Sequence, residues 1–280
     1  MRRPLNQPLA KFFADRGTHL AAMIAYFGLL SSVSLIFLAL AILGWTGRAE
    51  ESSYFVEALD HLFPSQSIEN IVKVVQEIRE NAAALGVIGG SFLLWTSLSL
   101  FSVLESAFNI VYDRPNRSFL KGKFLATLFM AGSIIVLAAG LVIGGFGYDL
   151  LQRFAGGAIA NPIVAYTLSA FVSTLSVFAF LVLAYERLTN AALSFREVWP
   201  GAALAAVLLQ VTFQILPLFV RLSREVVAVQ ALGTSALLLV WIYVMANVIV
   251  FGAALNYVLA YGVTGRAVEP RGGAVGASGR

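Results

Sequence analysis

The stretch GVIGGSFLLWTSLSLFSVLESAFNIVY, residues 86–112, decides the fold. It exceeds the ~20 residues an α-helix needs to cross about 30 Å of hydrocarbon. Its one charge is Glu105. A helix on a water-soluble domain keeps a polar stripe, whereas here the fill is Leu, Phe, Val, Ile, Ala and Gly with scattered Ser and Thr. Five more runs of this kind accompany it, at 22–45, 124–148, 163–185, 199–220 and 232–261. The expectation is an all-α polytopic membrane protein, a six-transmembrane-helix bundle occupying 1–262. Residues 263–280, rich in Gly, Ala and Arg, read as a disordered cytoplasmic tail.

Composition points the same way. Hydrophobic residues make up 59% of the 280 and charged residues 12%, far from ordinary globular usage. The absence of cysteine removes disulfides, thiolate metal sites and Cys nucleophiles from consideration. The N-terminal apolar run is too long for a cleavable signal peptide. Residues 5–16 read as a short interfacial helix, with Leu5, Leu9, Phe12 and Phe13 beside basic neighbours.

Charge placement sets the expected topology. Arg2, Arg3, Lys11 and Arg16, then Arg114, Arg117, Lys121 and Lys123, then Arg187 and Arg196, and finally Arg266, Arg271 and Arg280 fall on one side of the six runs. Only Arg48, Lys73, Arg79, Arg153, Arg221 and Arg224 fall on the other. The positive-inside rule then puts both termini in the cytoplasm. Nine of the 15 acidic residues, Glu50 and Asp149 among them, lie on the outer side. The net charge of +4 reads as topology and as attraction to anionic inner-leaflet lipid, with no nucleic acid as partner.

The one sizeable non-apolar element is 46–85. Ile68, Ile71, Val72, Val75 and Ile78 recur at helical spacing there, while Glu69, Lys73, Glu77 and Glu80 face away. This predicts an amphipathic helical hairpin on the outer face, broken at Pro64. NPIV at 161–164 starts the fourth span with Pro162 in the first helical position. FREVWPGA at 195–202 starts the fifth. Gly86/Gly90, Gly140/Gly144 and Ala202/Ala206 have small-xxx-small spacing, which lets helices approach closely within one chain.

Interruptions of the apolar fill mark the candidate site. Ser102, Glu105 and Asn109 share a face of the second span, with Ser99 and Ser106 beside them. A carboxylate at membrane depth costs several kcal/mol unless it is paired, protonated or wetted, so roughly that cost must be offset in the bundle interior. Three readings stand: a structural hydrogen-bond network, a substrate or proton site, and snorkelling to the cytoplasmic interface. Gln210 and Gln214 in the fifth span, and Tyr243, Asn247 and Asn256 in the sixth, are further polar groups that line a candidate polar cavity together with the first three. Pro217 frees a backbone carbonyl near the end of the fifth span. No catalytic, cofactor-binding or metal-binding residue is expected. His19 and His61 fall on opposite sides of the membrane, and no P-loop, HExxH or GxSxG motif occurs.

Four segments together resemble the YihY/BrkB family of bacterial inner-membrane proteins, formerly mislabelled ribonuclease BN. They are AAMIAYFGLLSSVSLIFLALAILGW (21–45), LESAFNIVYDRPNRSFLKGK (104–123), FREVWPGAALAAVLLQ (195–210) and LLLVWIYVMANVIVFGAALN (237–256). The resemblance runs from about residue 10 to 262 and implies six spans. It also implies links to virulence, lipopolysaccharide-related transport and solute export. The chain departs from the family pattern at Ser34, where a Pro is usual, at Ala254, where a Glu is usual, and near Gln230–Gly233, where a Tyr-Gly pair is usual. The expected function is a transporter or lipid/solute-handling protein, not an enzyme, with membrane lipid and a lipid or small solute as partners. The alternative is a non-transporting scaffold or envelope-assembly factor.

Overall fold

The computed structural model describes residues 6–45, 82–129, 131–132, 162–223 and 234–262. The outer hairpin expected over 46–85 (up to Ala82), most of the third span, the 224–233 connection and the 263–280 tail lie outside them. So do Gly140 and Gly144. The described residues form helices and no strand. They are α1 (Asn6–Ala14), α2 (Gly17–Trp45), α3 (Ala82–Val111), α4 (119–129), α5 (Pro162–Leu188), α6 (Phe195–Ser223) and α7 (Thr234–Tyr261). Among the described residues three stretches, Gly90–Val111, Phe195–Ile215 and Ala236–Tyr261, are long and apolar enough to cross a membrane. They coincide with the second, fifth and sixth runs. An all-helical build follows from the solvent, because hydrocarbon offers no partner to a backbone N–H or C=O and a helix satisfies both internally.

Helix ends carry local signals. α3 closes in a Schellman motif: Arg114 N donates to Asn109 O (2.7 Å) and Asp113 N to Ile110 O (3.1 Å). Asp113 takes the left-handed position there, φ 53°, which Asp tolerates better than most residues. Pro115 follows and cannot continue the helix. α5 opens at Pro162, as its missing N–H allows. α6 opens with Ser194 as cap: the Glu197 carboxylate accepts from Ser194 N (2.7 Å) and Ser194 Oγ (2.8 Å), one half of a capping box.

The chain divides into two compact units. Unit 1 takes Met1–Ala21, Phe101–Thr212 and Asn247–Arg280; unit 2 takes Ala22–Leu100 and Phe213–Ala246. In unit 2, Gly28 of α2 lies where a Cβ would come 3.1 Å from Ile242 Cγ2 of α7, and Trp241, Ala246, Thr96 and Ser97 are buried. In unit 1 the core is rich in small residues: Ala107, Ala184, Ala202, Ala205, Ala206, Ala253 and Ala254 are all buried. Small side chains let helix backbones meet where apolar area alone gives no drive to associate. The tightest approach joins α6 to α7. A Cβ on Gly201 would run into Gly252 O, and one on Gly252 would lie 2.9 Å from Gly201 O. The spacing of Ala202 and Ala206 anticipated contact on this face of α6 but not the glycine crossing beside it. At Gly90 a Cβ would meet nothing within 4 Å.

Several hydroxyls in the apolar helices are satisfied within their own helix. Ser32 donates to Gly28 O (2.9 Å), Ser99 to Trp95 O (2.7 Å), Thr174 to Ala170 O (2.7 Å) and Thr212 to Leu208 O (2.8 Å). The i−4 carbonyl is the nearest acceptor in a medium without water.

Gly201→Ala is expected to lower the thermal unfolding temperature of the detergent-purified protein clearly, since the obstacle is backbone and overpacking costs about 1–3 kcal/mol. Gly90→Ala is expected to leave it unchanged or raise it slightly, by at most about 1 kcal/mol of helix propensity. Equal melting of the two variants would show that the Gly201–Gly252 approach is not close.

Candidate functional site

Glu105 is buried, with 6% of its side chain exposed, and its partner is Arg117, itself 13% exposed. Arg117 Nη1 donates to Glu105 Oε1 at 3.0 Å. The same guanidinium reaches the end of α5. Nη1 also donates to Leu188 O, and Nη2 donates to Arg187 O (3.1 Å) and Thr189 O (2.8 Å). The last carbonyls of a helix lack intrahelical partners and carry the negative end of its dipole. A planar cation with several donors suits both needs at once, which a lysine cannot match. Arg117 thus ties α5 to α3, and Glu105 is its counter-charge.

The rest of the α3 face is bonded into the same cluster. Asn109 Nδ2 donates to Asn116 Oδ1 (3.0 Å), and Asn116 Nδ2 donates to Ser106 Oγ (3.1 Å). Asn109 Oδ1 accepts from Asn190 N (2.7 Å), and Asn190 Nδ2 donates to Pro115 O (3.0 Å). Lys123 Nζ donates to Ser102 Oγ at 3.2 Å. Gly122 lets α4 come close to the carboxylate: a Cβ there would lie 3.2 Å from Glu105 Oε2. The turn at Asp113–Pro115 folds the polar segment 114–123 back along α3, so Ser102, Ser106, Glu105 and Asn109 face its side chains.

A second group joins α1, α3, α6 and α7. Lys11 Nζ lies 3.1 Å from both Asp15 Oδ2 and Asp113 Oδ2, and 4.2 Å from the centre of the Tyr257 ring. Tyr257 Oη donates to Asp113 Oδ2 (3.1 Å), and Tyr261 Oη donates to Glu197 Oε1 (3.0 Å). The Tyr112, Tyr257 and Tyr261 rings meet at 5.6–6.5 Å between centroids. Burial pulls Lys11 down, but Asp15 and Asp113 more than offset it and its pKa ends above the ordinary lysine value. Burial lifts the Asp15 carboxyl above its ordinary value, against the opposing effect of Lys11.

Of the eight residues read from sequence, Ser102, Glu105 and Asn109 come together in the clamp. Asn256, fully buried, accepts from Gly201 N at 2.6 Å, within the α6–α7 crossing. Gln210 Oε1 accepts from Ser173 Oγ of α5 at 3.4 Å. Asn247 is half-buried on α7 in unit 1. Gln214, exposed, and Tyr243, half-buried, belong to unit 2. Sequence reading missed Arg117, Lys123, Asn116 and Asn190 as partners, because the cations of 114–123 were counted for topology alone. The available signal was the Asp-Arg-Pro stop at 113–115, which turns the chain back along the helix carrying Glu105.

The family profile described as Virulence factor BrkB matches residues 9–272. The chain belongs to the BrkB family. Relatives carry the name UPF0761 membrane protein. The one from Idiomarina loihiensis is 27% identical over 70% of this chain and 68% of its own. That from Paraburkholderia xenovorans is 24% identical over 88% of this chain and 58% of its own. That from Pseudoalteromonas translucida is 27% identical over 86% of this chain and 81% of its own. The chain therefore spans little more than half the length of some relatives it matches. No solved structure matches it. The family and the apolar helices together make this an integral membrane protein.

Arg117→Ala is expected to destabilise strongly, by about 3–5 kcal/mol, because it leaves a buried carboxylate without its cation. Arg117→Lys should recover only part, since one ammonium cannot span Glu105 and three carbonyls. Glu105→Gln, which keeps an acceptor oxygen, should cost less than Glu105→Ala. Thermal unfolding in one detergent ranks the four variants, and a benign Arg117→Ala would remove the clamp from the account of stability.

Proposed function

We propose that this BrkB-family chain is a six-span protein of the bacterial inner membrane, with both termini cytoplasmic, that handles a lipid or small solute and does no covalent chemistry. The observation that carries the reading is Gln214. It is exposed on α6, inside an apolar stretch of membrane-spanning length. Polar groups at membrane depth mark water-filled paths and substrate contacts. Tyr243, half-buried on α7 in the same unit, is a second polar group at this depth.

A scaffold role without transport is favoured by one observation. Glu105, the carboxylate of α3, is engaged by Arg117, which uses it for architecture.

The chain's lack of cysteine makes single-cysteine variants directly readable. Cysteine at Gln214, Tyr243 or Asn247 is expected to react with a membrane-impermeant thiosulfonate much faster than cysteine at the exposed apolar positions Val207 and Leu259. Rates no faster than those controls would abandon solute handling and leave the scaffold. In intact spheroplasts, cysteine at Lys73 should label from outside and cysteine at Lys121 only after lysis; the reverse would overturn the topology.

A further inference from the structure

The ionic groups of unit 1 are unevenly paired. Its described acidic residues all have partners. Asp15 and Asp113 hold Lys11, Glu105 holds Arg117, Glu186 lies 3.5 Å from Arg187, and Glu197 accepts from Ser194 and Tyr261. Lys123 is drawn inward to Ser102. Arg16, Lys121 and Arg196, by contrast, are exposed and make no ion pair among the described residues. Each described carboxylate of unit 1 is thus partnered, while these three exposed cations have no ionic partner among the described residues.

The three cations share one end of the unit. Arg16 follows α1, which Lys11 fastens to Asp113 at the end of α3. Lys121 sits in the first turns of α4, just beyond the Arg117 that grips the end of α5. Arg196 lies in the first turn of α6, next to the Glu197 that receives Tyr261 from the end of α7. Exposed aromatic residues neighbour each of them along the chain: Phe13 before Arg16, Phe119 and Phe124 either side of Lys121, Phe195 and Trp199 either side of Arg196, with Phe119, whose ring lies 5.8 Å from Lys123 Nζ, 75% exposed and Trp199 47%. A cation beside an exposed aromatic ring matches the boundary of a bilayer, where the ring sits among acyl chains and glycerol and the charge reaches phosphate. Nucleic acid or an acidic peptide would answer the charge but leave these rings against water.

We propose that this end of unit 1 is a binding belt for anionic phospholipid headgroups, with Arg16, Lys121 and Arg196 as the phosphate contacts and the neighbouring aromatic rings as acyl-level anchors. It rests on the bilayer placement of the proposed function and not on solute handling. Each basic residue near an anionic surface contributes up to roughly fivefold in lipid association. The three lie on separate elements, so their contributions should add and no single one should be essential.

The test uses the full chain in proteoliposomes, with spin-labelled phosphatidylglycerol and phosphatidylcholine as probes of the lipid shell. The native protein should prefer phosphatidylglycerol several-fold. The triple variant Arg16→Asn/Lys121→Gln/Arg196→Gln should lose most of that preference while melting as the native protein does in neutral detergent. Asn is chosen at 16 because φ there is 55°. If the triple variant melts early, the three single variants are read, and at least two must lower the preference. No preference in the native protein, or an undiminished one in the variants, overturns the proposal. Inorganic phosphate that abolishes the preference at an ionic strength where chloride does not would mean a free-anion site and also overturn it. Because the cysteine-accessibility result does not depend on lipid charge, loss of either reading leaves the other standing.

Discussion

A single guanidinium organises the polar end of unit 1. Arg117 closes the open carbonyls of α5 and meets the one carboxylate of α3 with the same planar group. Such a pair is not a free gain. Removing two charges from water costs several kcal/mol per ion as an order of magnitude, and their attraction repays it only when the remaining donors are also used. Here they are used, on carbonyls that would otherwise be orphaned. Glu105 and the end of α5 each make the other's position tolerable, and the loop 113–118 takes its course from bridging them.

The surrounding contacts extend the same logic. Asn109 accepts from the turn after α5 and donates to the loop before α4, so one amide side chain fixes two irregular segments. Lys11 does likewise for α1, between Asp15, Asp113 and the face of Tyr257. Irregular backbone survives near hydrocarbon only where side chains satisfy it, and these elements meet at their least regular points. Along the helices, by contrast, contact comes from alanine, glycine and hydroxyls turned back on their own carbonyls.

Much of the architecture was legible from the run lengths. Gly90–Val111, Phe195–Ile215 and Ala236–Tyr261 fall within or close to the limits read from composition, because hydrocarbon thickness imposes a length that a sequence displays directly. The shared face of Ser102, Glu105 and Asn109 was legible too, since helical period is local. Their partners were not, because Arg117 and Asn190 come close only once Asp113 adopts a left-handed turn and α5 returns, and no periodicity encodes that. Small-xxx-small spacing likewise pointed to Gly90, where an added Cβ would meet nothing within 4 Å, and passed over Gly201, which meets Gly252 and Asn256. A spacing rule names candidates for contact without naming the opposite wall.

The crossing of Gly201 and Gly252 has a mechanical consequence. Where two backbones touch with Asn256 bonded across them, there are no rotamers to readjust and no slack to slide through. Within unit 1 the start of α6 and the end of α7 are welded at that point, and any working motion must rotate them as one lever about an axis placed elsewhere.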